Sequence, residues 1–417
     1  MDAGLAIRSL IGFFALHALA WALSENRRVV AWRPVIAGML LTLGLGAVLL
    51  KAPMARDAFM ALNAMLDSLE RATREGTAFV FGFLGGGPLP FAETYAGASF
   101  VLAFRALPIV LVVSALSALL FHWRVLPWIV KMFSLLLQKT MGVGGAVGLS
   151  SAANVFVGMV EAPLFVKPYL RSMNRGELFI LMSCGMATIA GTVMALYASI
   201  LSRVIPDALG HILIASIVST PAAIAISILM VPTVAPATEG ELVAPQPAGS
   251  SMDAVTRGTI DGAQLFVNIV AMLVVLVALV SLANQLLALF PDVAGSPITL
   301  QRVLGILMAP LVWIMGIPWS EAGAAGALMG TKTALNELLA YIDLAGLPEG
   351  SLSARSRLMM TYALCGFANF GSLGIMIGGL ATMAPERREE IVSLGGRTIV
   401  SGTLATCVAG SVAGMLY

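Results

Sequence analysis

GGAVGLSSAANVFVGMVEAPLFVKPYL, from Gly144 to Leu170, is apolar enough to lie in a bilayer but is interrupted by Gly, Ser, Asn, Glu and Pro. It does not read as one clean spanning helix. With two flanking residues (142–170), it fits a re-entrant hairpin, in which two half-helices enter and leave on the same side. Polar backbone at membrane depth is tolerable only when buried in protein or lining a cavity. A second stretch of the same texture, residues 319–345, carries GALMGTKTALNELLAYID from Gly326 to Asp343.

Each interrupted stretch is followed by a charged turn and then by a span with a polar middle, 177–203 and 356–382. CGMATIAGTV at Cys184–Val193 lies over CGFANFGSLG at Cys365–Gly374, sharing Cys-Gly-x-Ala without a gap. A plain span follows each, at about 208–231 and 391–416. Hairpin, broken helix and plain helix therefore occur twice. Interrupted helices in corresponding positions of two repeats are the best sequence pointer to a transporter's binding site.

The rest of the composition agrees. Of 417 residues, 59% are hydrophobic and only 11% charged, against roughly a quarter charged in a soluble domain. Mean hydropathy is +0.94. Apolar stretches reach the roughly 20 residues that a helix needs to cross a bilayer core, and strand-type alternation is absent. The expected class is an all-α polytopic membrane protein with eight spans, two re-entrant hairpins and interfacial helices, arranged as an inverted repeat. The other spans are 5–23, 34–51, 99–121 and 263–290. Arg8 and the missing small-residue cleavage site make 5–23 a first span rather than a signal peptide.

Pro53–Arg74 reads as an amphipathic helix, with Met54, Phe59, Leu62, Met65 and Leu69 set against Arg56, Asp57, Asp67, Glu70 and Arg71; such a helix suits the membrane interface. The stretch from His122 to Lys139 and residues 301–317 read the same way. Residues 234–257 are rich in Pro, Ala, Gly and Glu and read as a mobile linker. The expected division is 1–141 as scaffold helices with an interfacial helix, 142–232 as the first transport repeat, 233–262 as linker, 263–300 as scaffold, and 301–417 as interfacial helix and second repeat.

Placing Arg27, Arg28 and Arg33 in the cytoplasm puts the N-terminus outside. Eight spans then bring the linker and Arg387–Arg388 inside and leave the C-terminus outside, as the positive-inside rule requires. The expected location is a bacterial inner membrane with both termini periplasmic.

A net charge of +2 gives no argument for a nucleic-acid partner. Cys184, Cys365 and Cys407 sit in apolar segments, and His17, His122 and His211 have no metal-ligand spacing. Gly85–Gly87 are followed by PLPF rather than the Lys-Ser/Thr of a phosphate loop. No nucleophile–base pair is visible, so neither an enzyme nor a bound cofactor is expected.

Glu161 and Glu337 are the sharpest signals, because a charge inside an apolar segment costs about 2.5–3.5 kcal/mol on insertion scales and usually serves a substrate or ion path. The bland alternatives are structural pairs, Glu161 with Lys167 and Glu337 with Lys332. Asn154, Thr188, Asn336, Asn369 and Ser372 lie at the same depth. With carbonyls freed at helix breaks, they can replace the hydration shell of a small cation; capping half-helices is the alternative role. Phe367, beside Asn369, offers a ring face to a planar or sugar ligand or simply packs in the core.

Asn154-Val-Phe-Val-Gly158-Met-Val-Glu161-Ala-Pro163 resembles the concentrative nucleoside transporter family. The likeness continues through ATIAGTV at 187–193, ALGHILIASIVSTPAA at 208–223, GTKTALNE at 330–337, YALCGFANFGSLGI at 362–375 and APERR at 384–388. It covers at least 142–417, more loosely the first three spans.

The resemblance implies a homotrimer in which a transport domain moves against a scaffold. It implies nucleobase contacts from Gly158, Met159, Val160 and Glu161, ribose contacts from Glu337, Asn369 and Ser372, and a pocket lined by Phe367 and Val193. It implies sodium held by the side chains of Asn154 and Thr188 and the carbonyls of Val157 and Ile189. The family commonly reads Gly-Gln-Thr-Glu where this chain has Gly-Met-Val-Glu, and Met159 and Val160 offer no amide or hydroxyl to a base edge. The retained Asn154 and Thr188 favour sodium over protons.

The expected function is sodium-coupled nucleoside uptake by alternating access. Other readings are a proton-coupled carrier of nucleosides or a related polar solute, a nucleoside-sensing receptor, a channel, or a membrane enzyme acting on a lipid-linked nucleotide. A channel needs a continuous polar pore, and an enzyme needs a nucleophile or metal cluster.

Overall fold

The computed structural model describes residues 3–93, 98–240, 248–293, 295 and 297–417, and at residues 3, 53–60, 62 and 63 the backbone only. Helices α1 (Ala3–Ala22) and α2 (Trp32–Lys51) lead to α3 (Pro53–Phe81), the short α4 (Leu102–Arg105) and α5 (Ile109–His122). Then α6 (Val125–Met141) enters the first hairpin, made of α7 (Gly145–Asn154) and the one-turn α8 (Glu161–Leu164). The first broken helix is α9 (Arg175–Ala187) with α10 (Gly191–Leu201), followed by α11 (Ala208–Met230). The second half runs through α12 (Ser251–Leu287), α13 (Leu300–Met315) and the hairpin arms α14 (Trp319–Ala334) and α15 (Glu337–Gly346). It ends with the broken helix α16 (Ala354–Leu364) and α17 (Phe370–Met383), then α18 (Arg388–Leu416).

Seven helices among the described residues are long and apolar enough to cross a membrane. The expected eighth, at 356–382, is interrupted: α16 and α17 are each too short to cross alone, and together they cover the predicted stretch. Each break has a local cause. Thr188 is extended (φ −122, ψ 171), which ends α9. Asn369 is extended too (φ −143, ψ 166) and caps α17, its Oδ1 accepting from Ser372 N at 2.7 Å.

The hairpins open to opposite ends of the molecule. At one end, Arg171 pairs with Glu386 at 2.6 Å, Arg387 Nη1 donates to Leu170 O at 2.9 Å, and Asn174 Nδ2 donates to Pro236 O at 3.5 Å. The α1–α2 turn joins them, Glu25 N donating to Met230 O at 2.9 Å. At the other end, buried Arg355 donates to Leu5 O, Gly316 O and Gly414 O at 3.0, 3.1 and 3.0 Å, and Ser353 N donates to Glu321 Oε2 at 3.2 Å. Leu5 and Gly414 thus share a face with the open side of the second hairpin.

Two sequence expectations need correction, where the repeats begin and how the linker sits. Helix α1 lies against α18, α11 and α13, and α2 against α11 and α18, while α5 pairs with α12 and, like α2, contacts α3 and α6. The repeats begin earlier than expected. Helix α6 packs on α7 and α13 on α14, so the order span, amphipathic helix, hairpin, broken helix, plain helix runs from α5 to α11 and again from α12 to α18. At the α13–α14 crossing a Cβ on Gly326 would meet Gly305 O at 2.4 Å, so the two backbones touch only because glycine stands there.

The linker is the second. Thr238 donates its N–H and hydroxyl to the buried Glu177 carboxylate at 2.7 and 2.6 Å, and Ala146 N donates to Thr238 O at 3.4 Å, so residues 236–240 are strapped beneath the first hairpin rather than loose. Helix α12 starts at Ser251, inside the stretch expected as linker, because Ser250 caps it by accepting from Asp253 N at 3.1 Å. The amphipathic reading of Pro53–Arg74 falls partly outside the described side chains; where they are described, Leu66 is buried and Met65 exposed.

Glu25 binds Arg175 through two hydrogen bonds, 2.9 and 3.2 Å, and lies 3.5 Å from Arg397. The Arg175 guanidinium holds its carboxyl below the usual carboxylate range. A depressed pKa stabilises the fold above the unfolded-state value, about 4.3, and loses that contribution as pH falls through the folded-state value. Glu25→Gln is expected to lower stability at pH 7 by up to about 1 kcal/mol, the pair being partly solvated. It should also flatten the acid limb of a melting-temperature profile below about pH 5. An acid limb identical to wild type would remove Glu25 from this role.

Candidate substrate and cation site

The two helix breaks meet. Phe367 N, in the second break, donates to Thr188 O, in the first, at 3.3 Å. Each hairpin tip approaches a break: Gly191 N at the start of α10 donates to Phe156 O of the first hairpin at 2.9 Å. In the second hairpin Asn336 caps α15 by accepting from Leu339 N at 3.0 Å, which places Glu337 in the first turn.

The Glu337 carboxylate is the centre of a buried polar group. Oε1 accepts from the Tyr197 hydroxyl at 2.6 Å, and Oε2 accepts from Asn369 Nδ2 at 3.0 Å. Glu337 is 4% exposed and Asn369 1%. A carboxylate has about four acceptor positions, so two remain for hydroxyl donors. Ser372 and Phe367, near Asn369 in sequence, are half-buried, and Val193 is buried one helical turn before Tyr197. Tyr197 escaped the sequence reading.

A second group lies between the first hairpin and the first break. Asn154 ends α7, its Nδ2 donating to Ser150 O at 3.0 Å, while its fully buried Oδ1 has no donor. Thr188 Oγ1 lies 2.9 Å from Cys184 O and 3.2 Å from Asn154 O. One hydroxyl hydrogen can serve only one of these, which leaves oxygen lone pairs facing each other. Burying an unpaired amide oxygen costs about 1–3 kcal/mol. A small cation relieves that cost, and this donor set of amide, hydroxyl and carbonyl oxygens suits a hard monovalent ion better than a transition metal. Among the described residues no group of three His, Cys, Asp or Glu is placed to hold a metal ion.

The hairpin-1 residues are arranged differently from the other candidates. Gly158 has φ +107, and a Cβ there would stand 2.8 Å from Glu161 Oε2 and 2.9 Å from Ala190 Cβ, so only glycine fits that turn. Met159 is buried with its Cβ toward Gly185 of α9, and Val160 faces Gly379 of α17. Glu161 is exposed. Among the described residues it makes no ion pair with Lys167, nor Glu337 with Lys332. Neither structural pairing considered from sequence is formed.

The sequence and the fold are shared with known proteins. A profile described as "Na+ dependent nucleoside transporter C-terminus" matches residues 211–414, its N-terminal counterpart matches 11–84, and one described as "Nucleoside recognition" matches 103–204. The nucleoside permease NupC of Helicobacter pylori is 34% identical over 413 residues, covering 98% of this chain and 97% of that one. The chain belongs to the concentrative, sodium-dependent nucleoside transporter family. Its fold superposes on CNTnw in an inward-facing substrate-bound state with a TM-score of 0.89 at 35% identity, covering 98% of each chain. A doubly substituted CNTnw in an outward-facing state gives 0.89 at 34%, covering 99% of this chain and 98% of that one. The family is one of transporters rather than enzymes, so the absence of a catalytic arrangement in the sequence has its explanation.

Proposed function

We propose that this multi-pass membrane protein takes up nucleosides against their gradient by coupling them to inward sodium movement, through alternating access. The buried Glu337 carboxylate, oriented by Tyr197 and Asn369, carries the reading. It supplies charge-assisted acceptors for the ribose hydroxyls, roughly twice as strong as neutral ones. Asn369 and Ser372 add polar contacts to the sugar, and Phe367 and Val193 give the pocket its apolar wall. The base lies toward Gly158–Glu161, where Met159 and Val160 leave its edge without the amide and hydroxyl of the commoner motif.

Sodium binds at Asn154 Oδ1 and Thr188 Oγ1, with the carbonyls of Val157 and Ile189. That site shares Thr188 with the contact between the two breaks, so the ion tightens the frame against which the nucleoside packs. Affinity for one is then coupled to the other, and the coupling is reciprocal. The moving unit comprises both hairpins and broken helices with α11 and α18, and it moves against a scaffold of α1, α2, α5 and α12, which carry no central polar cluster. The assembly is a homotrimer in a bacterial inner membrane. The end carrying Glu25, Arg171 and Arg387 faces the cytoplasm, and the end with both termini faces the periplasm, in keeping with the arginine distribution.

The test is uptake of radiolabelled uridine and adenosine into proteoliposomes under inward sodium, inward proton, or no gradient. Sodium-driven accumulation above equilibrium is expected. Accumulation driven only by protons would keep the carrier and remove the Asn154–Thr188 ion site. No uptake by folded protein would assign the pocket to another ligand.

A further inference from the structure

Lys332, in the GTKTALNE motif, has no part in the nucleoside or sodium binding described above. It sits near the end of the hairpin arm α14 and is fully buried. Its Nζ donates to Ala363 O at 2.9 Å and to Thr406 Oγ1 at 3.2 Å. Among the described residues no carboxylate lies within ion-pair distance of it. A buried ammonium without a counter-charge in contact is costly, so something else must hold it there.

What holds it is the end of a half-helix. Ala363 belongs to the last turn of α16, where carbonyls without helical partners carry the negative end of the helix dipole. All four carbonyls of that turn are satisfied. Thr361 O accepts from the Tyr341 hydroxyl at 2.9 Å, Tyr362 O from Cys365 N at 3.1 Å, Ala363 O from Lys332, and Leu364 O from Gly366 N at 2.9 Å. Glu337, five positions along in the same hairpin, attracts the ammonium without touching it.

The first repeat presents the complementary picture. There too the first arm of a hairpin, α7, ends beside the first half of a broken helix, α9. The arm brings Asn154 instead of a lysine, and its Oδ1 is buried with no donor. One repeat therefore offers a cation its oxygens, and the other carries its cation on the chain.

We propose that Lys332 is a tethered cation of the second repeat. Its ammonium does for α16 and the Glu337 hairpin what the mobile sodium does for α9 and the first hairpin. It is a positioning residue: it fixes the hairpin arm to the helix end from which the nucleoside-binding break begins. The inference rests on the sodium reading of Asn154 and Thr188. It predicts that the second repeat, deprived of its lysine, will recruit sodium from solution into the space beside Ala363 O and Thr406 Oγ1.

The experiment measures uridine uptake against sodium concentration for wild type and Lys332→Ser in proteoliposomes, with melting temperatures of the purified proteins in sodium and in potassium. Wild type should respond hyperbolically. Lys332→Ser should respond sigmoidally, the Hill coefficient rising from about 1 to about 2, with half-saturation at least about tenfold higher, the worth of one helix-end charge interaction. A hyperbolic Lys332→Ser curve with unchanged half-saturation overturns the proposal. If that variant folds but does not transport, its sodium-specific rise in melting temperature decides: larger than wild type's supports a second ion, and equal or smaller overturns it. If it does not fold, Lys332→Gln takes its place with the same criteria. A wild-type response indifferent to sodium would overturn the sodium reading first and this inference with it.

Discussion

Glu337→Gln is expected to cut uridine uptake about 100-fold at subsaturating substrate while leaving the protein folded. The carboxylate accepts from Tyr197 and Asn369, one oxygen each. Glutamine replaces one of those oxygens with an NH2 donor; turned toward Tyr197 it donates to the phenolic oxygen, while its carbonyl still accepts from Asn369. Both internal contacts survive, but the acceptor offered to the sugar becomes neutral. Hydrogen bonds to a charged group contribute about 1.5–3 kcal/mol and neutral ones about 1. Losing the charge toward two ribose hydroxyls therefore amounts to about 3 kcal/mol, or about two orders of magnitude.

The loss should depend on the sugar. Measured as a cycle of wild type and Glu337→Gln with uridine and 2′,3′-dideoxyuridine, the two changes should not add, because each removes one side of the same contact. Wild type should discriminate strongly between the two substrates and the variant weakly. Equal discrimination by both proteins would remove Glu337 from the ribose. Folding is expected to survive because Asn336, not Glu337, caps α15.

Glu337 was readable because a carboxylate inside an apolar stretch has few structural uses. The broken helices were readable for a related reason: Cys-Gly-x-Ala recurs in two spans whose middles hold Thr188 and Asn369, residues that end or cap helices. Tyr197 was not. An aromatic in an apolar helix looks like core, and its relation to Glu337 depends on how α10 meets α15. The only local signal is its place one helical turn beyond Val193, on the same face.

Packing partners were hidden for the same reason. The linker looked mobile from its proline and glycine content, but its docking depends on one residue far away in sequence, the Glu177 carboxylate that receives Thr238. The packing of α1 and α2 on α11 and α18 was equally hidden: the reach of Arg355 to Leu5 O connects positions 5 and 355 and leaves no periodic trace. Met159 and Val160 show the limit from the other side: a turn at Gly158 with φ +107 directs them toward α9 and α17, and no spacing rule encodes that direction.

Asn154→Ala is expected to separate ion binding from fold stability in opposite directions. The Oδ1 atom is buried without a donor, so in sodium-free solution it is a cost to the folded protein of about 1–3 kcal/mol. Alanine removes that cost together with the Nδ2 bond to Ser150 O, worth about 1 kcal/mol. The sodium-free melting temperature should therefore hold or rise. In sodium the order reverses. Wild type gains stability as the ion fills the site, by an amount that grows with sodium concentration over its dissociation constant, and the variant should gain little. Losing one direct ligand of about 2 kcal/mol raises the sodium concentration for half-maximal uptake about 30-fold. It should also weaken nucleoside affinity measured at fixed sodium, because linked binding is reciprocal. A variant that melts lower without sodium, yet keeps the wild-type sodium response, would mean that Asn154 is a helix-end structural residue and that the ion binds elsewhere.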